Sequence, residues 1–506
     1  MKTIGMPHQQ EALRRMNGRE HFALFMEQGT GKTWTLLADA ERLYRAGEID
    51  AMLVLAPNGV HLNWALREIP AHLEVEAMVA AWDSGMGKRR RASVEALLRP
   101  RDVDEVAPFR ILAMSWEAIC TKDGFAFATR FLNATRAMIA ADESHRIKTP
   151  TSLTHKRALL LRSRAKIARI ATGTPITNAP LDVFGQMEFL ESGLLGTTSR
   201  RAFIAEYSEL LAADHPMLRN IVQRNPRAAM AQIVARNSDG SPRYRNLDKL
   251  QRLVAPHAYR VLKRECLSLP EKIYQQALFE LPAGLRSKYD EMEADFRITL
   301  ADDTVATVSK LAAMTKLQQI TSCFVILEGE PRILDAGKNP RLATFMDVVE
   351  GLDGPFIVWA KFREELAQVA TALRRAGITA VEYHGDIGRD DRNAAVDAFQ
   401  SGTARAFVGQ PKAGGVGLTL TAAETVIYFS NDYNMGVRVQ SEDRAHRIGT
   451  RRNVVYIDIV ARDTIDSAIS RALQRKSSMA AAIMADRNLE TSRVYPDCAA
   501  PEMVQN

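Results

Sequence analysis

The stretch Met26-Glu-Gln-Gly-Thr-Gly-Lys-Thr33 decides how the rest of the chain is read. It follows the apolar run Phe22–Phe25, a short buried-strand pattern, and precedes Trp34–Arg42, which carries Leu36, Leu37 and Ala40 at helical spacing. A glycine-bearing turn between a strand and a helix aims backbone N–H groups and the positive end of the helix at one point, where phosphate oxygens bind. Gly29, Thr30 and Gly31 would form that cradle, Lys32 would reach β- and γ-phosphates, and the Thr33 hydroxyl would hold Mg²⁺. The strict pattern has glycine where this chain has Met26, but the ending Gly29-x-Gly31-Lys32-Thr33 is intact. These residues predict binding of a nucleotide in an α/β fold.

Length and composition bound the rest. A chain of 506 residues exceeds one ordinary domain, so two or three cores are expected. Hydrophobic content of 46% with 25% charged residues is that of a globular protein. No apolar run is long enough to span a bilayer, and the N-terminus lacks a secretory apolar core, so a cytoplasmic chain is expected. The four cysteines are scattered without a C-x-x-C pair, which argues against a zinc knuckle and a disulfide framework. A net charge of +7 leans weakly toward an anionic polymer partner.

Moving outward, Pro7-His-Gln-Gln10 precedes the loop, and a glutamine there can offer its amide to both donor and acceptor on an adenine edge. Downstream, Ala51–Ala56, Phe109–Met114, Ala137–Ala141 and Ile167–Ala171 read as buried strands. They end in Pro57-Asn58-Gly59, Ser115-Trp116, Asp142-Glu143 and Thr172-Gly-Thr-Pro175, and open parallel sheets collect functional residues at these carboxyl ends. Adjacent acids at a strand end suit a division of labour. Asp142 would complete the Mg²⁺ shell, and Glu143 would orient or deprotonate the water attacking the γ-phosphate. Lys88-Arg-Arg-Arg91 opens a helical stretch and reads as a solvated face before a phosphate contact.

From Leu181 to Leu262 strand signals are sparse and basic residues frequent, including Arg219, Arg224 and Arg227, so a helical insertion is expected over 186–270. Ile273–Leu281 alternates as a strand, helical sequence follows to Gln319, and then Phe356–Trp359, Ala380–Tyr383, Ala406–Val408, Thr425–Phe429 and Val454–Ile459 resume parallel-sheet logic. Two α/β halves with only one phosphate loop imply a nucleotide between them. Arg444 and Arg447, at i and i+3 on one expected helical face, would then deliver positive charge to the γ-phosphate across the cleft.

Taken in chain order, these stretches resemble the SWI/SNF-type (sucrose-non-fermenting) ATPases of helicase superfamily two. The resemblance runs from Pro7 to about Ile469 and includes Glu27-x-Gly29-x-Gly31-Lys-Thr33, Pro57 with Asn63-Trp64, Asp142-Glu-Ser-His145 and Thr172-Gly-Thr-Pro175. It continues through Leu262-Lys-Arg264 with Leu269-Pro-x-Lys272, His384-Gly385, Gly414-Gly-x-Gly-Leu418 with Thr421, and Gln440-x-x-Asp-Arg-Ala-His-Arg-Ile-Gly449. Departures are Met26 for Asp, Thr177 and Thr450 for Gln, Ser430 for an acid and Met435 for Pro. The resemblance implies two RecA-like parallel-sheet lobes with helical protrusions: lobe 1 over 1–185, an insertion over 186–270, lobe 2 over 271–475 with a protrusion at about 283–330, and a C-terminal helix and tail over 476–506. It implies ATP and Mg²⁺ in the cleft, with Gln9 reading adenine and Gly415 and Gln440 at the nucleotide. It further implies a monomeric motor that tracks the backbone of double-stranded DNA without sequence preference. Pro57, Asn58, Ser115, Trp116, Lys361, Gly385, Lys412, Gly414 and Thr419 would make those contacts, and phosphate contacts position without specifying. The bare motor core resembles small phage and bacterial members.

Two other functions fit parts of the pattern. A strand-separating helicase of the same superfamily shares most of the motifs, and a DNA-binding scaffold could use ATP as a switch. The complete set Lys32, Asp142, Glu143, Arg444 and Arg447 argues for turnover and against the scaffold.

Overall fold

Strands that are apolar on both faces need cover on both faces, which helices packed on a parallel sheet supply. The computed structural model shows this arrangement twice; it describes residues 1–83, 85–99, 108–212, 215, 232–237, 242–301, 307–334, 339–412 and 418–484. The first sheet comprises β1 (His21–Met26), β2 (Ala51–Ala56), β3 (Ala77–Ala81), β4 (Phe109–Ser115), β5 (Ala137–Asp142), β6 (Ile167–Ala171) and β7 (Ala258–Val261). Their order is β3-β4-β2-β5-β6-β1-β7, with every neighbouring pair parallel. Along β2, Ala51, Leu53 and Leu55 join one core with Phe127 and Phe131, while Met52, Val54 and Ala56 join another with Leu36 and Trp64. Alternation of side chains thus feeds a core on each face.

The second half contains β8 (Lys272–Phe279), a small hairpin of β9 (Phe324–Leu327) and β10 (Glu330–Ile333), then β11 (Phe356–Trp359), β12 (Ala380–Tyr383), β13 (Ala406–Gly409), β14 (Thr425–Tyr428) and β15 (Val454–Ala461). Six of these strands form a parallel sheet in the order β12-β13-β11-β14-β15-β8. Here Phe356 and Val358 face one core, and Ile357 and Trp359 the other. The architecture is therefore mixed α/β, with two RecA-like lobes and helical insertions. Helices Ala283–Ala301 and Thr307–Thr321 lie between β8 and β11. They send Tyr289, Leu317 and Ile320 into the lobe 2 core.

Each lobe encloses a deeply buried arginine. In lobe 1, Arg169 of β6 donates from Nε to Asp39 Oδ2 at 2.8 Å and from Nη2 to Arg19 O at 2.9 Å. In lobe 2, Arg341 donates to Phe429 O at 2.6 Å, Ile459 O at 2.9 Å and Thr321 Oγ1 at 2.7 Å, and it pairs with Asp466. Buried charges persist only when paired and fully hydrogen-bonded, so these residues fix how strands and helices sit on one another.

Three expectations are corrected. β3 and β7 are edge strands that the sequence reading missed: Ala77–Ala81 is short and alanine-rich, and Ala258–Val261 carries Arg260, whose Nη1 donates to Phe25 O and Gly173 O at 3.2 Å. The segment expected to be a helical insertion thus contributes β7, and it also holds antiparallel bridges Ser208↔Tyr244, Leu210↔Val234 and Arg236↔Pro242. Its Arg219, Arg224 and Arg227 lie outside the described residues. The C-terminal helix begins at Ile465 and runs to Met484, ahead of the expected start at 476. It packs Ile465 against the lobe 2 core and Met484 into the lobe 1 core, and so spans both lobes. No helix among the described residues is long and apolar enough to cross a membrane.

Candidate functional site

The phosphate loop leaves β1 at Met26 and enters the helix Lys32–Arg45. Its turn uses left-handed backbone at Gly29 (φ +82°) and Gly31 (φ +85°), a region that costs any residue with a Cβ. Gly31 has a second reason to lack a side chain, because a Cβ there would sit 1.9 Å from Gln9 Nε2. Gln9 is buried: its Oε1 accepts from Met6 N at 2.6 Å and its Nε2 donates to Gly31 O at 3.3 Å. The residue expected to read adenine thus sits against the loop with both amide atoms engaged, and contact with a base requires exchanging those bonds. Lys32 is 8% exposed and donates from Nζ to Met26 O at 3.1 Å. Thr30 Oγ1 donates to Glu27 O at 2.8 Å, and Thr33 is half-buried in the first helical turn.

Asp142 closes β5, and Glu143 follows in left-handed backbone (φ 53°). That turn points the two carboxylates into different surroundings. Asp142 Oδ2 accepts from Trp64 Nε1 at 3.1 Å, and Oδ1 accepts from Glu143 N at 3.0 Å. Burial, reinforced by the negative Glu143 and opposed by Lys32, pushes the Asp142 carboxyl up to about 6. Burial also works to raise Glu143, but His145, Lys32 and Thr172 overcome it and hold that carboxyl at about 2. Glu143 accepts from Thr172 Oγ1 at 3.1 Å and from Gln28 Nε2 at 3.3 Å, and lies 3.3 Å from His145 Nδ1. It therefore ties the phosphate loop, β5 and the turn after β6 into one polar network. A buried carboxylate at a raised pKa beside a lysine and a helix N-terminus fits a site for Mg²⁺ carried on phosphate oxygens, because a cation relieves the charge that burial penalises.

Lobe 2 meets this surface. A Cβ built on Gly29 would lie 3.8 Å from Lys263 Cε and 4.0 Å from Arg447 Cβ, so the stem of Arg447 lies beside the phosphate loop. Its Nη1 donates to Leu418 O at 3.4 Å. Arg444 turns elsewhere: Nη2 donates to Pro411 O at 2.9 Å and the guanidinium lies 5.3 Å from the Trp359 ring centroid, inside lobe 2. Burial pushes Arg444 down to about 10. The expectation of a shared helical face is corrected, because the helix Met435–Ala445 stops before Arg447. Thr450 caps the chain beyond the break, with Oγ1 accepting from Arg447 N at 3.1 Å and donating to Ala445 O at 2.7 Å. Gln440 is half-buried on that helix, and Gly414 and Gly415 lie outside the described residues. At the start of the helix, a Cβ on Gly436 would lie 3.3 Å from Thr177 Cγ2 and 3.9 Å from Thr174 Oγ1. The turn that bonds Glu143 thus also touches lobe 2.

The residues expected at DNA divide. Pro57, Asn58, Lys361, Gly385 and Lys412 follow the carboxyl ends of β2, β11, β12 and β13, and Asn58, Gly385 and Lys412 are exposed. Lys412 pairs with Asp432 at 2.5 Å, Lys361 bonds Gln318, and Thr419 is half-buried. Trp116 is corrected outright: it is 1% exposed and donates from Nε1 to Asp142 O at 3.0 Å, so it supports the acid pair from the core. Ser115 is buried and its Oγ accepts from Ala118 N at 3.0 Å, which makes it a turn cap. Sequence reasoning placed Lys263 and Asp443 inside motifs of the resemblance but assigned neither a role; they bond each other at 2.6 Å across a separation of 180 residues, a pairing that neither motif alone announces.

Comparison with known proteins gives the family. The family model described as the SNF2-related domain matches residues 8–328, and that of the helicase conserved C-terminal domain matches 340–449. The chromodomain-helicase-DNA-binding protein 1-like of Mus musculus is 24% identical, over 89% of this chain and 46% of the relative. The DNA annealing helicase and endonuclease ZRANB3 of Bos taurus is 24% identical over 90% and 38%, and the putative ATP-dependent helicase/translocase YwqA of Bacillus subtilis 23% identical over 91% and 46%. The chain thus spans less than half the length of these curated relatives. Among solved structures, the Sulfolobus solfataricus SWI2/SNF2 ATPase core in complex with dsDNA is 21% identical, covers 96% of this chain with 94% of its own, and superposes with a TM-score of 0.39. The SNF2-related match extends over more than half of the chain and continues into the helicase C-terminal region, and the chain belongs to the SNF2-related family of superfamily-two ATPases.

Proposed function

We propose that the chain is an ATP hydrolase stimulated by double-stranded DNA, which moves along the duplex and displaces what is bound there. The observation that carries this reading is the placement of Arg447 of lobe 2 beside Gly29 of lobe 1, with Glu143 bonded to the turn that touches lobe 2. In this reading Lys32 and the loop N–H groups bind the β- and γ-phosphates. Thr33 and Asp142 would hold Mg²⁺, which when bound neutralises charge on the phosphate oxygens. Glu143, held ionised by His145, Lys32 and Thr172, orients the attacking water by accepting its hydrogen bond. Water oxygen forms a bond to the γ-phosphorus as the bond to the β–γ bridging oxygen breaks; the electron pair leaves with ADP and the water proton passes to an oxygen of the released phosphate. Arg447 stabilises the charge that develops. Closure of the lobes completes the site and reopening resets it, which couples turnover to relative movement of the two DNA-facing edges.

The test is phosphate release with and without duplex DNA, alongside triplex displacement and forked-duplex unwinding. DNA-stimulated release with displacement and without unwinding is expected, and Lys32→Ala should abolish it. Full turnover by Lys32→Ala overturns the nucleotide assignment, whereas efficient unwinding converts the reading to a helicase.

A further inference from the structure

The lobes are joined by the segment from Leu262 to Glu271, and its first lysine touches both. Lys263 N donates to Glu27 Oε2 at 2.7 Å, in the phosphate loop of lobe 1. Its Nζ donates to Asp443 Oδ1 at 2.6 Å and to His446 O at 2.9 Å, in lobe 2. These two acceptors lie on either side of Arg444, and the second immediately precedes Arg447. An ammonium with two fixed acceptors sets the relation between them, so Lys263 fixes the arc of chain that ends in Arg447. The other end of the linker returns to the same carboxylate, with Lys272 Nζ at 3.6 Å from Asp443 Oδ1. Lys263 is 6% exposed and Asp443 7%, so water does not weaken the pair as it does a surface ion pair.

Beside this clasp lies a cavity of about 980 Å³, lined by Lys263, Lys272, Glu442 and Asp443 among others. The same cavity is also lined by apolar Ile176, Leu269, Val439 and Met484, so the polar clasp borders open space and its loss does not empty a core. We infer that Lys263 is a positioning residue for hydrolysis: it clasps Glu27 of the phosphate loop to Asp443 and His446, and so sets Arg447 against Gly29. This rests on the ATPase reading above. Lys263 touches no reacting atom in it, and acts only through Arg447.

Single-turnover ATP hydrolysis with duplex DNA tests the assignment on the full chain as wild type, Lys263→Met, Arg447→Ala and the double variant. Misplacement of a charged group by about an ångström costs on the order of tenfold to a hundredfold in rate, so Lys263→Met should lower kcat by that factor. Its affinity for a fluorescent ATP analogue should stay within about threefold, because the phosphate loop is unchanged. In the Arg447→Ala background Lys263→Met should cost no more than about twofold, since residues acting through one another are non-additive. Should Lys263→Met fold poorly, Asp443→Asn removes the same charge pair with less change of shape and carries the same expectation. Unchanged kcat in the single variant, or an equal loss in both backgrounds, overturns the positioning role. Unchanged turnover in Arg447→Ala alone instead overturns the trans-cleft reading on which it rests.

Discussion

Acidifying the protein in the absence of nucleotide and metal, from about pH 7.5 to about pH 4, should strengthen the Asp142 contribution to stability, opposite to the usual effect of acid on carboxylates. In the folded chain Asp142 is pushed up to about 6 from an ordinary 3.8. Above the folded value the ion is present in both states, and its burial penalty is fully felt. Between the two values the folded state takes up a proton that the unfolded state does not, so stability rises as pH falls through 6 toward 3.8. At ~1.4 kcal/mol per pH unit the gain is on the order of a few kcal/mol. Glu143, held at about 2, stays ionised across most of this window. Other groups titrate as well, so the quantity to measure is the unfolding free energy of wild type minus that of Asp142→Asn at each pH. Tryptophan fluorescence suits the experiment, because Trp64 and Trp116 both donate to Asp142. A difference that is flat, or that falls on acidification, refutes the raised carboxyl and removes the electrostatic reason for placing a cation there.

Gly31→Ala forces a Cβ into left-handed backbone and onto Gln9 Nε2; nucleotide affinity should fall at least about tenfold while the fold loses only about 1–2 kcal/mol of stability, readable by analogue titration and melting. Trp116→Phe should leave DNA affinity unchanged but destabilise lobe 1 by about 1–3 kcal/mol, since Asp142 O loses its donor; weakened DNA binding at unchanged melting temperature would contradict its burial. Arg341→Met should cost lobe 2 about 3–5 kcal/mol by leaving Asp466 buried beside unpaired carbonyls. Calorimetry should show a lower unfolding temperature, and an unchanged one would refute the buried pairing with Asp466.

What the sequence disclosed follows from how far each property reaches along the chain. Doubly buried strands such as Ala51–Ala56 announce a parallel sheet because every residue is apolar, and the fold class follows from a series of such runs. The bend at Gly29 and Gly31 is likewise local: the chain must turn between a strand and a helix, and glycine permits the turn. The edge strands β3 and β7 escaped because these edges tolerate alanine and arginine without an apolar signature, whereas β8 and β12, the edges of the second sheet, were read from their alternation and apolar runs. At the site, the difficulty was direction. Trp116 follows a strand end, as a DNA-facing residue would, yet its indole turns inward to Asp142. Strand-end position fixes where a residue starts and leaves its aim to the packing.

The arginines show the same limit more sharply. Spacing of three residues places two side chains together only while the helix continues, and here it ends at Ala445, with Thr450 bonding both Ala445 O and Arg447 N beyond the break. One arginine is thereby assigned to the interior of lobe 2 and the other to the cleft. The break has a mechanical consequence. Were the helix continuous, Arg447 would be carried rigidly with Arg444 and any tilt of lobe 2 would move both. With the helix ended at Ala445, the position of Arg447 depends on bonds to the segment that follows, and Lys263 supplies one of them at His446 O. The alignment of the cleft arginine then becomes a property of the linker between the lobes, the part of the chain that must flex when they separate.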